Sequence, residues 1–181
     1  MKRLSEYHQL KRFIMAAMLL ALALVLPFVT GQIPQIGAAL CPMHLPVLLC
    51  GFFCGPVYAL AVGLLAPLMR FVLFGMPPLF PSGIGMCVEL SGYGVTAGVL
   101  YAVTKHMKRE PVRVCVSLIG AMIVGRVLWG LARLLLAGIA GSTFTYAAFI
   151  AGAFTNAIPG IIAQLVLVPL LVLKLKIPGG K

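Results

Sequence analysis

The chain has 181 residues, of which 62% are hydrophobic and only 9% are charged. These proportions lie far outside the range of soluble domains and indicate an integral membrane protein. The formal net charge of +11 does not indicate nucleic-acid binding, because most of the basic residues stand at the ends of apolar runs, which is typical of membrane topology.

Six apolar runs approach the length of about 20 helical residues that is needed to cross a bilayer. In chain order, the predicted spans are residues 11–29, 43–55, 57–75, 82–104, 114–138 and 146–173. The second run is short and ends at Gly55-Pro56, which favours a broken or tilted helix. We therefore predict an all-α integral membrane protein in which residues 1–181 form one compact bundle of six transmembrane helices.

The basic residues predict how this bundle is oriented. They precede the first span, separate the fourth from the fifth and follow the sixth, as Lys2, Arg3, Lys11, Arg12, Lys105, Lys108, Arg109, Arg113, Lys174, Lys176 and Lys181. The turns 30–42, 75–82 and 137–143 carry no charge. By the positive-inside rule, both termini are expected in the cytoplasm of a cell with this protein in its cytoplasmic membrane.

Four charged residues, Arg70, Glu89, Arg126 and Arg133, lie within the spans. Charges within a membrane are costly, so the default interpretation is that they face a polar cavity and bind a substrate. Arg70 and Arg133 stand close enough to an interface to extend toward water instead. Arg126 lies too deep for that, and its structural alternative is an ion pair with Glu89. If Glu89 balances one arginine, a charge of about +2 remains and favours an anionic substrate.

Helical geometry groups some of these residues. At 100° per residue, Arg126 and Arg133 project within about 20° of each other. Gly130 lies between them on the same face, where the absence of a side chain is expected to leave room for a ligand. Trp129 flanks that face, where it would either pack in the core or wall an aromatic ligand.

Further candidates come from three other spans. Glu89 and Tyr93 share a face of the fourth span, and Asn156 precedes a predicted kink at Pro159-Gly160. His44 and Met43 stand at the outer mouth of the second span. His44 would contact the ligand or merely bond to backbone, and a role for both residues as haem-iron ligands is a weaker alternative.

Nothing in the sequence predicts catalysis. The chain has no nucleotide-binding, zinc-protease or nucleophile-elbow motif, and its five cysteines have no metal-binding spacing. We therefore expect no enzyme activity, no metal and no cofactor bound by this chain. Ala17 and Ala21 form a small-xxx-small pair on the first helix, which lets another helix approach closely. This pair serves packing in the bundle or docking of an external partner.

Four segments resemble the substrate-binding S components of energy-coupling factor (ECF) vitamin transporters. They are MHLPVLLCGFFCGP, APLMRFVLFGMPPLFP, GMCVELSGYG and FTNAIPGI. The resemblance implies a six-helix subunit that captures a micronutrient on the outer side and associates with a transmembrane T component and two cytoplasmic ATPases. In that family the first-helix motif that meets the T component matches Ala17 and Ala21, and the partner subunits use the ATP.

The resemblance leaves the ligand open. The quoted segments look closest to the branch that includes pantothenate carriers, and pantothenate has one carboxylate for Arg126 or Arg70. Folate would use the same charge together with Trp129, and haem would use the arginines with His44 and Met43. The alternative function is a self-sufficient facilitator or channel for small molecules.

Overall fold

A computed structural model describes residues 2–29, 40–141, 145–153 and 155–175. Within them the chain is helical and has no strands, which confirms the all-α class for the described residues. The helices are α1 (Lys2–Val29), α2 (His44–Cys54), α3 (Pro56–Phe74), α4 (Ile84–Val103), α5 (Glu110–Ile139), α6 (Tyr146–Ala153) and α7 (Ile158–Lys174). Lys176, Lys181 and most of the turn 30–42 lie outside the described residues.

Four of the described segments are long and apolar enough to cross a membrane, namely Glu6–Phe28, Pro56–Phe74, Leu79–His106 and Glu110–Ile139. The helices α2 and α7 are apolar but shorter. The total of six spans and the sides of the two termini therefore stay predictions. The sequence predicts a short second helix, and α2 ends at Cys54; Gly55 follows with a φ of 94°, which suits only glycine, and Pro56 then opens α3.

The sixth predicted span is divided. Its first part is α6, and a 3₁₀ turn at Thr155–Ala157 then leads into α7. Pro159 stands in the first turn of α7, where its missing N–H costs no helical hydrogen bond. The interruption therefore lies just before the Pro159-Gly160 pair at which the sequence predicts a kink.

Helix α4 lies between α3 and α5 and also packs along α2. A Cβ atom on Gly51 would stand 2.5 Å from the carbonyl oxygen of Gly94, and one on Gly98 would stand 2.8 Å from the backbone nitrogen of Pro56. On the other face of α4, a Cβ on Gly92 would meet Leu128 of α5 at 2.5 Å. These glycines let the backbones approach closely, which is how helices associate where lipid supplies no hydrophobic driving force.

The variant Gly51→Ala tests this close packing. Its added methyl group meets backbone rather than a flexible side chain, so we expect the free energy of unfolding to fall by at least about 1–3 kcal/mol. Thermal unfolding of the purified protein in detergent measures the change.

Gly138→Ala is the matched control, because among the described residues no atom outside its own stretch of α5 lies within 4 Å of a Cβ at that position. We expect it to raise the free energy of unfolding by about 0.5–1 kcal/mol, since alanine is the better helix former. Equal effects of the two variants would contradict the packing argument.

Candidate functional site

A buried cluster of charge lies where α2, α4 and α5 meet. Arg126 of α5 donates a hydrogen bond from Nη1 to Oε1 of Glu89 on α4 at 2.8 Å. The Nε2 atom of His44, the first residue of α2, lies 3.2 Å from the same oxygen. Arg126, Glu89 and His44 are 7%, 3% and 3% exposed. The ion pair that the sequence left as one alternative for Arg126 is therefore present.

The two partners of Glu89 are not held in the same way. Arg126 makes a hydrogen bond to it, whereas neither ring nitrogen of His44 has a hydrogen-bond partner among the described residues. His44 is thus within ion-pair distance of the carboxylate without being aligned for a hydrogen bond. Its ring instead stands edge-on to Tyr93, with 5.0 Å between the ring centroids.

The local sequence explains why these side chains meet. Glu89 and Tyr93 are one turn apart on α4, so both point toward α2 and α5. Gly125 removes the side chain that would otherwise collide with the Tyr93 ring, and this brings the neighbouring Arg126 close to α4. The Arg126 guanidinium lies 6.0 Å from the centroid of that ring, and its Nη2 atom donates to Sγ of Cys41 at 3.9 Å.

The expected charge of about +2 already counts Glu89 as the partner of one arginine, so it depends on Arg70 and Arg133 lying at the same cluster, whereas Arg70 contacts α1 and Arg133 lies beside Gly85. Glu89 neutralises Arg126 directly, and the removal of one partner from such a buried pair costs about 3–5 kcal/mol. The other two intramembrane arginines contact different neighbours. The site therefore has one charged pair at its centre.

Arg70 lies between α3 and α1. Its Nη1 atom donates to the backbone carbonyl of Leu24 at 2.8 Å. The guanidinium also stands over the rings of Phe28 and Phe74, at 5.3 and 5.5 Å from their centroids. With only 4% of its surface exposed, Arg70 is not extended toward water. Its contacts support a structural role in holding α1 against α3.

Helix α6 covers part of the α5 face on which Arg126, Gly130 and Arg133 lie, at the end nearer Arg133. Phe149 of α6 stacks on Trp129, with 6.2 Å between centroids. It also fills the space beside Gly130, while Arg133 is half-buried next to Gly85 of α4. An aromatic ring thus lies directly beside Gly130, and the space that remains there is an apolar groove between α5 and α6.

The remaining predicted residues fall in separate places. Met43 is buried in an apolar cluster with Val47 and Ala59. The side chain of Asn156 lies outside the described part of the structure. Ala17 and Ala21 are exposed on α1, so packing within the described bundle does not use them.

Gln164 is a candidate that the sequence reasoning missed. It lies on α7, is 2% exposed, and neither atom of its side-chain amide has a hydrogen-bond partner among the described residues. The hydroxyl of Tyr93 and Nε of Arg126 are also buried and also lack a hydrogen-bond partner among the described residues. Buried polar groups are nearly always hydrogen-bonded, so such atoms indicate a place where a ligand or water binds. The signal in the sequence was a lone amide within the apolar run IIAQLVLV.

A groove of about 300 Å³ lies between α5 and α6, but its chemistry suits no anion. It is lined by Val127, Gly130, Leu131, Leu134, Thr145, Tyr146 and Phe149. This lining is almost entirely apolar and includes no charged side chain. The groove is therefore not the candidate site.

The variant Gln164→Met tests whether the amide has a structural partner. If both amide atoms are unpaired in the empty protein, we expect the free energy of unfolding to stay unchanged or to rise by up to about 1 kcal/mol, because an unmade hydrogen bond is removed. Thermal unfolding in detergent measures this.

Ser117→Ala serves as the control, since the Ser117 hydroxyl is buried and donates to the carbonyl of Arg113 at 2.8 Å. That variant should lower the free energy of unfolding by about 1 kcal/mol. A comparable loss in Gln164→Met would show that Gln164 is structural.

Comparison with known proteins adds one finding. The family model described as "ECF transporter, substrate-specific component" matches residues 11–172. No curated protein and no solved structure matches the chain. The family match covers most of the chain, including every residue of the Glu89 cluster.

Proposed function

The chain belongs to the family of substrate-specific components of ECF transporters, and on this basis we propose that it captures an anionic micronutrient at the Glu89–Arg126 cluster. Members of this family are substrate-binding subunits of membrane transporters and not enzymes. The finer parts of the proposal are the chemistry of the substrate, the residues that bind it and the identity of the partners.

The observation that carries the proposal is the buried guanidinium of Arg126. A guanidinium stays charged in any protein environment, and it presents a planar array of donors that matches a carboxylate. In the described part of the chain, Nε of Arg126, both ring nitrogens of His44 and the hydroxyl of Tyr93 have no hydrogen-bond partner. We assign these residues as the polar lining of the site and propose Gln164 of α7, whose amide is likewise buried, as a further candidate.

Pantothenate is the substrate that we favour, since it has one carboxylate for one arginine. Folate would require a second cation, and Arg133 is the nearest candidate along the same face of α5. Haem is supported less well, because Met43 packs among apolar residues while His44 contacts Glu89 and Tyr93. The two side chains that would hold the iron thus lie in different clusters.

Family membership implies association with a T component and ATPases. Only 17% of the α1 span is buried, against 33–50% of the other three long spans. We propose that α1 lies at the edge of the bundle and meets the T component through Ala17 and Ala21, and that the energy for transport comes from ATP used by two cytoplasmic ATPases. We place the protein in a bacterial cytoplasmic membrane with both termini inside.

A self-sufficient facilitator is the alternative function. It predicts uptake by membranes that contain this chain alone, whereas the proposed function predicts uptake only with a T component and ATPases. Purification of the tagged chain distinguishes the two when it is combined with uptake assays in vesicles. Mass spectrometry of small molecules that co-purify with the chain identifies the substrate directly.

We expect Arg126→Met to weaken substrate binding at least about tenfold, because a charge-assisted hydrogen bond contributes about 1.5–3 kcal/mol. This variant leaves Glu89 unpaired and buried. The double variant Arg126→Met/Glu89→Gln is therefore measured beside it to separate loss of binding from loss of folding. Isothermal titration calorimetry gives the affinities.

Arg70→Met is the matched control, because Arg70 is equally buried but bonds to α1. It should bind the substrate as the wild type does. Undiminished binding by the double variant would show that Arg126 has only a structural role.

We expect Ala17→Leu/Ala21→Leu to keep substrate binding by the isolated chain and to lose transport by the assembled complex. The reason is that the larger side chains prevent close approach of a partner helix. Binding is measured by calorimetry and transport by uptake of labelled substrate. Ala61→Leu, which enlarges an exposed alanine on α3, is the control and should transport normally. Retained transport by the double variant would refute this docking role.

A further inference from the structure

Among the described residues, Glu89 is hydrogen-bonded to one side chain and has a second within reach. Its Oε1 atom accepts the 2.8 Å hydrogen bond from Arg126, and His44 Nε2 stands 3.2 Å from the same atom without a hydrogen bond. The three side chains come from three different helices and are all buried. A small rotation of the Glu89 or His44 side chain would exchange the first partner for the second.

Arg126 needs an anion beside it, because it cannot lose its proton and has little access to water. Glu89 supplies that anion and makes the pair neutral. An incoming carboxylate that bonds to Arg126 competes directly with Glu89 for the same donors. Glu89 and the substrate would then be two carboxylates facing one guanidinium, with a net charge of −1 in a buried site.

Resting on the proposed function, we propose that Glu89 is an internal stand-in for the substrate carboxylate and that His44 receives it during capture. The substrate carboxylate forms the hydrogen bonds to Arg126, and Glu89 leaves Arg126 and bonds to His44. One proton from the aqueous phase binds to the His44–Glu89 pair at the same time. The sum of charges before capture is zero, with the anion still outside, and the sum after capture is again zero.

The groups around Glu89 allow this balance. Among the described residues, His44 from α2 and Arg126 from α5 face Glu89, while Tyr93 of α4 contacts the His44 ring and Cys41, in the segment before α2, contacts Arg126. Arg126 has no proton to exchange, and both Tyr93 and Cys41 would have to lose a proton rather than gain one. The imidazole and the carboxylate are therefore the groups that accept the proton.

The exchange gives the site a means of discrimination and of release. A neutral molecule cannot replace Glu89 at Arg126, so it leaves the ion pair intact and gains no charged hydrogen bond there. When the proton leaves, Glu89 returns to Arg126 and displaces the bound anion. Capture and release thus depend on Glu89, which competes with the substrate carboxylate for Arg126.

The test uses the wild-type chain in detergent, with pantothenate as the first probe, folate as the second and pantothenol as a neutral analogue of the first. Calorimetry in two buffers of different ionisation enthalpy counts the protons that are bound with each probe. We expect about one proton to be taken up per pantothenate and none per pantothenol. As the pH rises above the range in which the substrate-free site already holds that proton, the pantothenate affinity should fall about tenfold per pH unit.

The variant Glu89→Gln removes the competing charge. We expect it to bind pantothenate more tightly than the wild type at alkaline pH and without proton uptake. Glu110→Gln is the matched control, because Glu110 lies at the other end of α5 beside Tyr101, and it should take up a proton as the wild type does. If Glu89→Gln does not fold, the wild-type proton counts for pantothenate and pantothenol decide.

Two results separate this inference from the proposed function. Binding of pantothenate or folate by the wild type without proton uptake, or weaker binding by Glu89→Gln than by the wild type, would overturn the exchange and leave the capture function in place. Failure of both carboxylate probes to bind either protein would overturn the proposed anionic substrate and the exchange with it.

Discussion

The ion pair between Glu89 and Arg126 is the constraint around which the interior of this protein is arranged. An arginine in the middle of a membrane span must have a carboxylate or an anion beside it, and the chain has only three acidic residues. Glu89 is the one that lies away from the ends of the spans, since Glu6 and Glu110 are the first residues of theirs. The pair fixes how α4 and α5 are rotated toward each other, since the 2.8 Å hydrogen bond forms only when both side chains point inward.

Small residues make that arrangement possible. Gly125 leaves space for the Tyr93 ring, and Gly92 leaves space for the Leu128 side chain. Helices α4 and α5 can therefore approach closely on both sides of the ion pair. Gly51, Gly94 and Gly98 do the same for α2 and α4. In a bilayer the exposed apolar side chains gain little from burial, and close packing with buried polar contacts therefore contributes more to helix association.

The polar interior is only partly satisfied. Among the described residues, His44, Tyr93, Arg126 and Gln164 all have buried atoms without a hydrogen-bond partner, and a buried polar atom that finds no partner lowers the stability of a protein. A substrate with a carboxylate and further hydrogen-bonding groups would recover part of that cost. This is the physical sense in which the interior fits a binding subunit, and it agrees with membership in a family of substrate-specific transporter components.

The sequence alone determined the class of the protein, the approximate limits of its helices and which charged residues lie within the spans. It did so because hydrophobic run length, glycine and proline positions and intramembrane charge are local properties. It also offered the Glu89–Arg126 pair as an alternative, since one acid and one deep arginine were both within the spans. Arg70, Gly130 and Gln164 were beyond its reach, because their roles depend on neighbours far away in the chain.

Only the tertiary structure decided those roles. Arg70 bonds to a carbonyl of α1, 46 positions away in sequence, and Phe149 fills the space beside Gly130. Helical phase places a side chain on a face of its own helix, but it cannot say which helix or ring will cover that face. The same limit explains why His44 looked like a residue at the mouth, although packing of α2 along α4 puts its ring against Glu89 and Tyr93 in the interior.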